Sequence, residues 1–185
     1  MLPILNLEQI QDMLLHVPGL VRKLEEQHAD YCDAVVDWMR GVEDVLTNNR
    51  LPAAASVSAV RGGVIAAARG ITGTALTAGG PSKRKLRDAA ATDALRRAEE
   101  IVSSALRADQ MQVADGERLA RQLVAHAVRT GALTADMLRA PQLEALWQRV
   151  IGDSDLGTPA NHLAGLVGLQ NALILFGRAL PRSGT

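Results

Sequence analysis

Lys83, Arg84, Lys85, Arg87, Arg96 and Arg97 put six cations into fifteen residues of the stretch GGPSKRKLRDAAATDALRRAEE, residues 79–100. Cations at this density suit an anionic partner, because each phosphate they neutralise releases counterions. They fall at the start of a predicted helix, the end whose dipole disfavours positive charge. That placement calls for something acidic nearby: a phosphate backbone, another subunit, or the acidic stretch Asp30–Asp44 of the same chain. No aromatic ring lies among these cations to stack on a base, and Asp88 and Asp93 dilute their field. Arg61 and Arg69 would join the surface if the preceding segment folds beside it. The glycines before the cations do not make a phosphate loop. The order is Ser-Lys rather than Gly-Lys-Ser/Thr, Pro81 removes one backbone N–H, and no strand precedes them.

A second set is Arg121 and His126 in RQLVAH. Their Arg-x4-His spacing resembles that of HEPN-type ribonucleases, which are also small helical bundles and often dimers. The resemblance covers these two residues, with Gln122 standing where those enzymes usually place Asn or Asp. It implies that His126 acts as general base or acid on a 2′-hydroxyl while Arg121 stabilises the phosphorane. A histidine beside Leu123 and Ala127 also fits the edge of a core. A third set is Glu25-x-x-His28 with Cys32 one turn later. Carboxylate-bridged di-iron bundles need two such Glu-x-x-His pairs and two further Glu, and this chain has one pair, so no metal and no cofactor are expected. His16, His126 and His162 are scattered, and Cys32 in an apolar seam is expected to be inert. Residues 123–138 carry the small residue and glycine of a helix-turn-helix, Ala127 and Gly131. Pro141 cuts the would-be reading helix to about two turns, so an ordinary packing corner is expected.

The elements that position these residues are helices. Val21, Leu24, His28, Tyr31, Val35, Trp38, Val42 and Val45 recur at spacings of three and four, which predicts one long amphipathic helix over about 19–48 and an interaction seam along it. Asn6 and Gln9 suggest a capped helix over Leu7 to about Val17, with Pro18-Gly19 as a break or the start of the next. Residues 52–70 read as a helix weakened by Gly62-Gly63, or as loop, and about 70–82 as a flexible Gly/Ala-rich segment. Ser82 caps a predicted helix to about Arg107, and another fits 113–130 with Gly131 at its end. Thr134 opens a short turn, Pro141 a helix with Leu146 and Trp147, and Thr158-Pro159 a last helix to about Leu180. On the last, Ala164, Gly168 and Ala172 form a stripe that admits a close neighbour.

Ala and Leu carry the apolar content, with one Phe, one Tyr and two Trp, which points to an all-α chain rather than a sheet. The expectation is a single all-helical domain over 1–185, a bundle of five to seven helices, with a possible N-terminal hairpin over 1–50 and a helical core over 83–185. Net charge is zero but segregated: residues 1–50 hold nine acidic and four basic side chains, residues 51–97 two and eight. One cysteine, no leader-like start and no apolar run long enough for a bilayer suggest a cytoplasmic protein away from membranes. The leading functional expectation is a non-enzymatic interaction or regulatory protein that works by helix packing as a homodimer. Nucleic-acid binding through residues 83–97 is the alternative, and the Arg121–His126 ribonuclease a second one.

Overall fold

The computed structural model describes residues 1–69, 82–139 and 141–181. Among them are nine α-helices and no strand: α1 Ile4–Leu15, α2 Val17–Glu25, α3 Tyr31–Asn48, α4 Ala53–Ala68, α5 Lys83–Arg129, α6 Ala135–Arg139, α7 Leu143–Gly152, α8 Gly157–Val167 and α9 Leu169–Ala179. The helical-bundle class is the expected one, although the helices are more numerous than five to seven. Apart from Ser82, the Gly/Ala-rich segment expected over 70–82 lies outside the described residues.

The long helix over 19–48 is not present. It is divided into α2 and α3 by a left-handed cap built without glycine. Gln27 has φ 54°, its N–H donates to the Leu24 carbonyl at 3.0 Å, and the His28 N–H donates to that of Lys23 at 2.9 Å. These two bonds satisfy carbonyls that a helix end leaves open. The same device ends α3: Arg50 has φ 55°, and the Arg50 and Leu51 N–H groups reach Thr47 and Leu46 at 2.9 Å each. The longest helix is instead α5, with 47 residues, which joins the two helices expected over 82–107 and 113–130. Nothing between them, RADQMQV, prevents helix from continuing. The expected last helix is in turn two helices, because Gly168 at φ 81°, ψ 150° separates α8 from α9. Gly168 therefore serves as a break rather than as part of a packing stripe.

The chain divides into two compact units: Asn6–Arg107, and Met1–Leu5 with Ala108–Thr185. In the first, the apolar side of α3 is the spine. Tyr31, Val35, Met39, Val42 and Leu46 are buried, as are Val57 and Val64 of α4 and Ala91, Ala98 and Val102 of α5. The Trp38 indole N–H donates to the Met13 carbonyl at 2.8 Å, which ties α3 to the end of α1. Asn6 does not cap α1. Its side-chain amide donates to Asn49 Oδ1 at 2.5 Å.

In the second unit, Trp147 of α7 meets Phe176 of α9 edge-on, ring centroids 5.4 Å apart. Gly116 of α5 lets α8 and α9 come close: a Cβ there would lie 2.7 Å from Val167 and 2.8 Å from Leu175. The buried Asn171 spans the Gly168 break. Its amide donates to the Val167 carbonyl at 2.9 Å and to that of Leu2 at 3.1 Å, and its oxygen accepts the Ile4 N–H at 2.9 Å. That last bond caps the first turn of α1. The Leu2 N–H donates to Asp109 at 2.9 Å.

Candidate functional site

The basic residues lie where the spacing placed them, at the start of α5, and Ser82 caps that helix by accepting the Lys85 N–H at 3.3 Å. Most of them are already paired. Arg87 reaches Asp33 of α3 at 3.4 Å, and its Nε is enclosed by protein. Arg84 donates to the Gln27 carbonyl and lies 3.6 Å from Asp88. Asp93 holds Arg97 at 2.9 Å and Arg96 at 3.2 Å. Lys83 and Lys85 are exposed and have no acidic partner among the described residues. A cleft of about 490 Å³ lies beside them, lined by His28, Tyr31, Arg84, Lys85 and Asp88 among others. In it the Thr92 hydroxyl gives its proton to the Asp88 carbonyl at 2.7 Å, so Tyr31 is the donor in its 3.1 Å bond to Thr92. Burial pushes the Tyr31 phenol above its ordinary range.

The seam residues separate at the Gln27 cap. Val21 is exposed, Leu24 half-buried, and His28 lies in the turn with its ring 2.9 Å from Glu26. Tyr31, Val35, Trp38 and Val42 are buried and Val45 half-buried, all inside their own unit. Glu25, His28 and Cys32 do not share a face, since the helix ends between them and Cys32 is buried. No cluster of three or more His, Cys, Asp or Glu suited to a metal occurs among the described residues, nor any helix long and apolar enough to cross a membrane.

Arg121 and His126 are five residues apart on α5, so their side chains leave the axis about 140° apart. His126 lines a cleft of about 270 Å³ with Gln122, Leu123, Asp155 and Pro159. Arg121 is not in that cleft, and Glu117 holds it at 3.9 Å. The His126 ring nitrogen faces Arg129 at 2.9 Å.

The feature that sequence reasoning missed is a groove between α4 and α5. Ala53 and Ser56 stand with Ser104 and Ala105 at one end, and Ala67 with Ala90 at the other, so the two helices run antiparallel. Two adjoining hollows of about 420 and 560 Å³ share Val60 and Arg97 as walls. α4, AAASVSAVRGGVIAAA, is apolar or small on every side, yet only Val57 and Val64 are fully buried. Ala55, Ser56, Ala59, Gly62 and Gly63 face outward. A helix apolar all round is ordinarily a covered one. Its one charge, Arg61, is turned inward to Glu43 of α3, with Nη2 at 2.8 Å and Nε at 2.9 Å. Hydrogen bonding from Ser58, with Arg61, holds the Glu43 carboxyl below its usual range. The missed signal was the near absence of charge from residues 53–68 on both helical faces.

No protein family, no curated protein and no solved structure matches this chain.

Proposed function

We propose that this chain is a non-enzymatic, cytoplasmic interaction module that works by packing helices, with the α4–α5 groove as its docking surface. One observation carries the reading: among the described residues, nothing covers the apolar, uncharged outer side of α4. Burial of such a side yields roughly 25 cal/mol per Å² of apolar surface. The separation of Arg121 from the cleft of His126 supports a non-catalytic role, as does the pairing of most cations within the chain. The test is a photo-crosslinking residue at position 59 in cells, with one at the exposed Arg118 as control. A discrete adduct from position 59 alone is expected. No adduct, together with a strict monomer at micromolar concentration, abandons the reading.

A second reading, nucleic-acid binding, draws on the exposed Lys83 and Lys85 beside the cleft at the start of α5. Fluorescence anisotropy with labelled RNA and DNA at about 50 and 200 mM salt distinguishes it, because phosphate contacts weaken steeply with salt. Affinity that falls over that range and is lost on Lys83→Glu with Lys85→Glu would establish it in place of the first.

A further inference from the structure

We infer that the first two turns of α5, residues 83–90, are a strap that closes on α3 through charge and opens apart from the rest of the helix, so that the closed chain masks two of its own cations. The first observation is what the strap lacks. No described side chain from 83 to 90 is buried, and Ala91 is the first of α5 to enter the core. Beyond it Ala94, Leu95, Ala98 and Val102 are buried as well. Apolar packing fastens α5 from Ala91 onward and does not fasten what precedes it. A stretch with few buried apolar contacts opens at lower free energy than the core beside it. Its own charges add to this. The first turn carries Lys83, Arg84 and Lys85 and no acid, at the end whose dipole disfavours cations.

The second observation is what holds the strap down. Arg84 crosses to the carbonyl of Gln27, in the turn before α3, and Arg87 donates to Asp33 in the first turn of α3 at 3.4 Å. Asp33 is 73% exposed, so water and salt screen that pair and its hold is weak. A weak polar tie on a helix start without apolar packing gives the strap two accessible positions. Closed, the stretch offers Lys83 and Lys85, which have no acidic partner among the described residues. Open, it offers Arg84 and Arg87 too. The strap stands on contacts within the chain. The mask rests on the nucleic-acid reading above and regulates that same surface, since phosphate must compete with Asp33 for Arg87 and with the Gln27 carbonyl for Arg84.

Hydrogen exchange on the full chain, without nucleic acid, tests the strap. Amides 86–90 carry the opening bonds of α5, beginning with Leu86 to the Ser82 carbonyl at 3.1 Å, and should exchange well ahead of the core amide of Val102. Asp33→Asn leaves α5 untouched and should speed amides 86–90 about two- to fivefold, the worth of an exposed ion pair. Val102 should not change, and Asp33→Glu should restore the parent rates. Protection at 86–90 equal to that of Val102, or rates that Asp33→Asn does not move, overturns the inference. Anisotropy with labelled RNA and DNA then reads the mask. Asp33→Asn should bind about two- to fivefold tighter than the parent. Asp37→Asn should bind like the parent, because Asp37 pairs with Arg40 of its own helix at 3.4 Å. An equal gain from both variants is bulk charge and overturns the mask. Exchange that responds to Asp33 in a chain that binds neither RNA nor DNA discards the nucleic-acid reading and the mask with it, and upholds the strap.

Discussion

Gln27 and Arg50 hold a conformation that the L side chain resists, and each does so to end a helix. A left-handed residue with a Cβ costs roughly 1 kcal/mol or more against glycine. Both side chains are exposed, so replacing them removes little packing. Gln27→Gly and Arg50→Gly should each raise the unfolding free energy by about 1 kcal/mol in urea titrations. Equal or lower stability would mean that the side chains contribute more than their strain. Glu43 supports a prediction of a different kind. Its carboxyl is held low by Ser58 and Arg61, so the native state favours the ionised form. The associated stability is present above the ordinary carboxylate range and is lost as pH falls through it toward the depressed value. The stability difference between the parent and Glu43→Gln should be largest near neutrality and vanish in acid. A difference that does not change with pH would remove Glu43 from the account.

At the scale of elements, periodicity showed where helices are and not where they stop. The positions Tyr31, Val35, Trp38 and Val42 were legible because burial repeats every three or four residues. The stop at Gln27 was not, because the cap there uses backbone N–H groups and a residue type that carries no signal. The continuity of α5 was hidden for the opposite reason: the apolar pattern fades near Met111 while the backbone still has no cause to leave the helix. Of the candidate site, the clustering of the cations was legible, but not which acid would meet them: the sequence left Asp30–Asp44, another subunit and phosphate open, and the contact of Arg87 with Asp33 depends on how α3 packs beside α5. The groove was not, because it depends on which side of α4 faces inward. Two glycines that look alike in sequence are predicted to resist alanine for different reasons. Gly168→Ala should destabilise by about 1–3 kcal/mol, since φ 81°, ψ 150° belongs to a region reserved for glycine. Gly116→Ala should cost a similar 1–3 kcal/mol, roughly, by overpacking against Val167 and Leu175. Thermal denaturation of both checks this, and a neutral result at Gly116 would show that those side chains yield.

At the scale of the whole molecule, one buried amide fastens positions far apart in the chain. Asn171 serves Ile4, Leu2 and Val167 at once, across sequence separations of 167, 169 and 4 residues. Asn171→Leu keeps the bulk and removes all three bonds, leaving enclosed backbone groups unpaired. The expected loss is about 3 kcal/mol, from penalties of roughly 1–3 kcal/mol per orphaned group. Hydrogen exchange should report it locally, with the Ile4 amide losing protection first. Retained protection at Ile4 would show that another acceptor takes over.

That same bond sets a schedule for synthesis. Ile4 leaves the ribosome 167 residues ahead of Asn171. At about 5–20 residues per second the interval is roughly 10–30 s. Through that time the opening turn of α1 has an amide with no partner and apolar Leu2 and Ile4 with no core to enter. Leu2 and Ile4 therefore stay uncovered in the nascent chain until nearly all of the second unit has been made, so this turn is among the last parts of its unit to be completed.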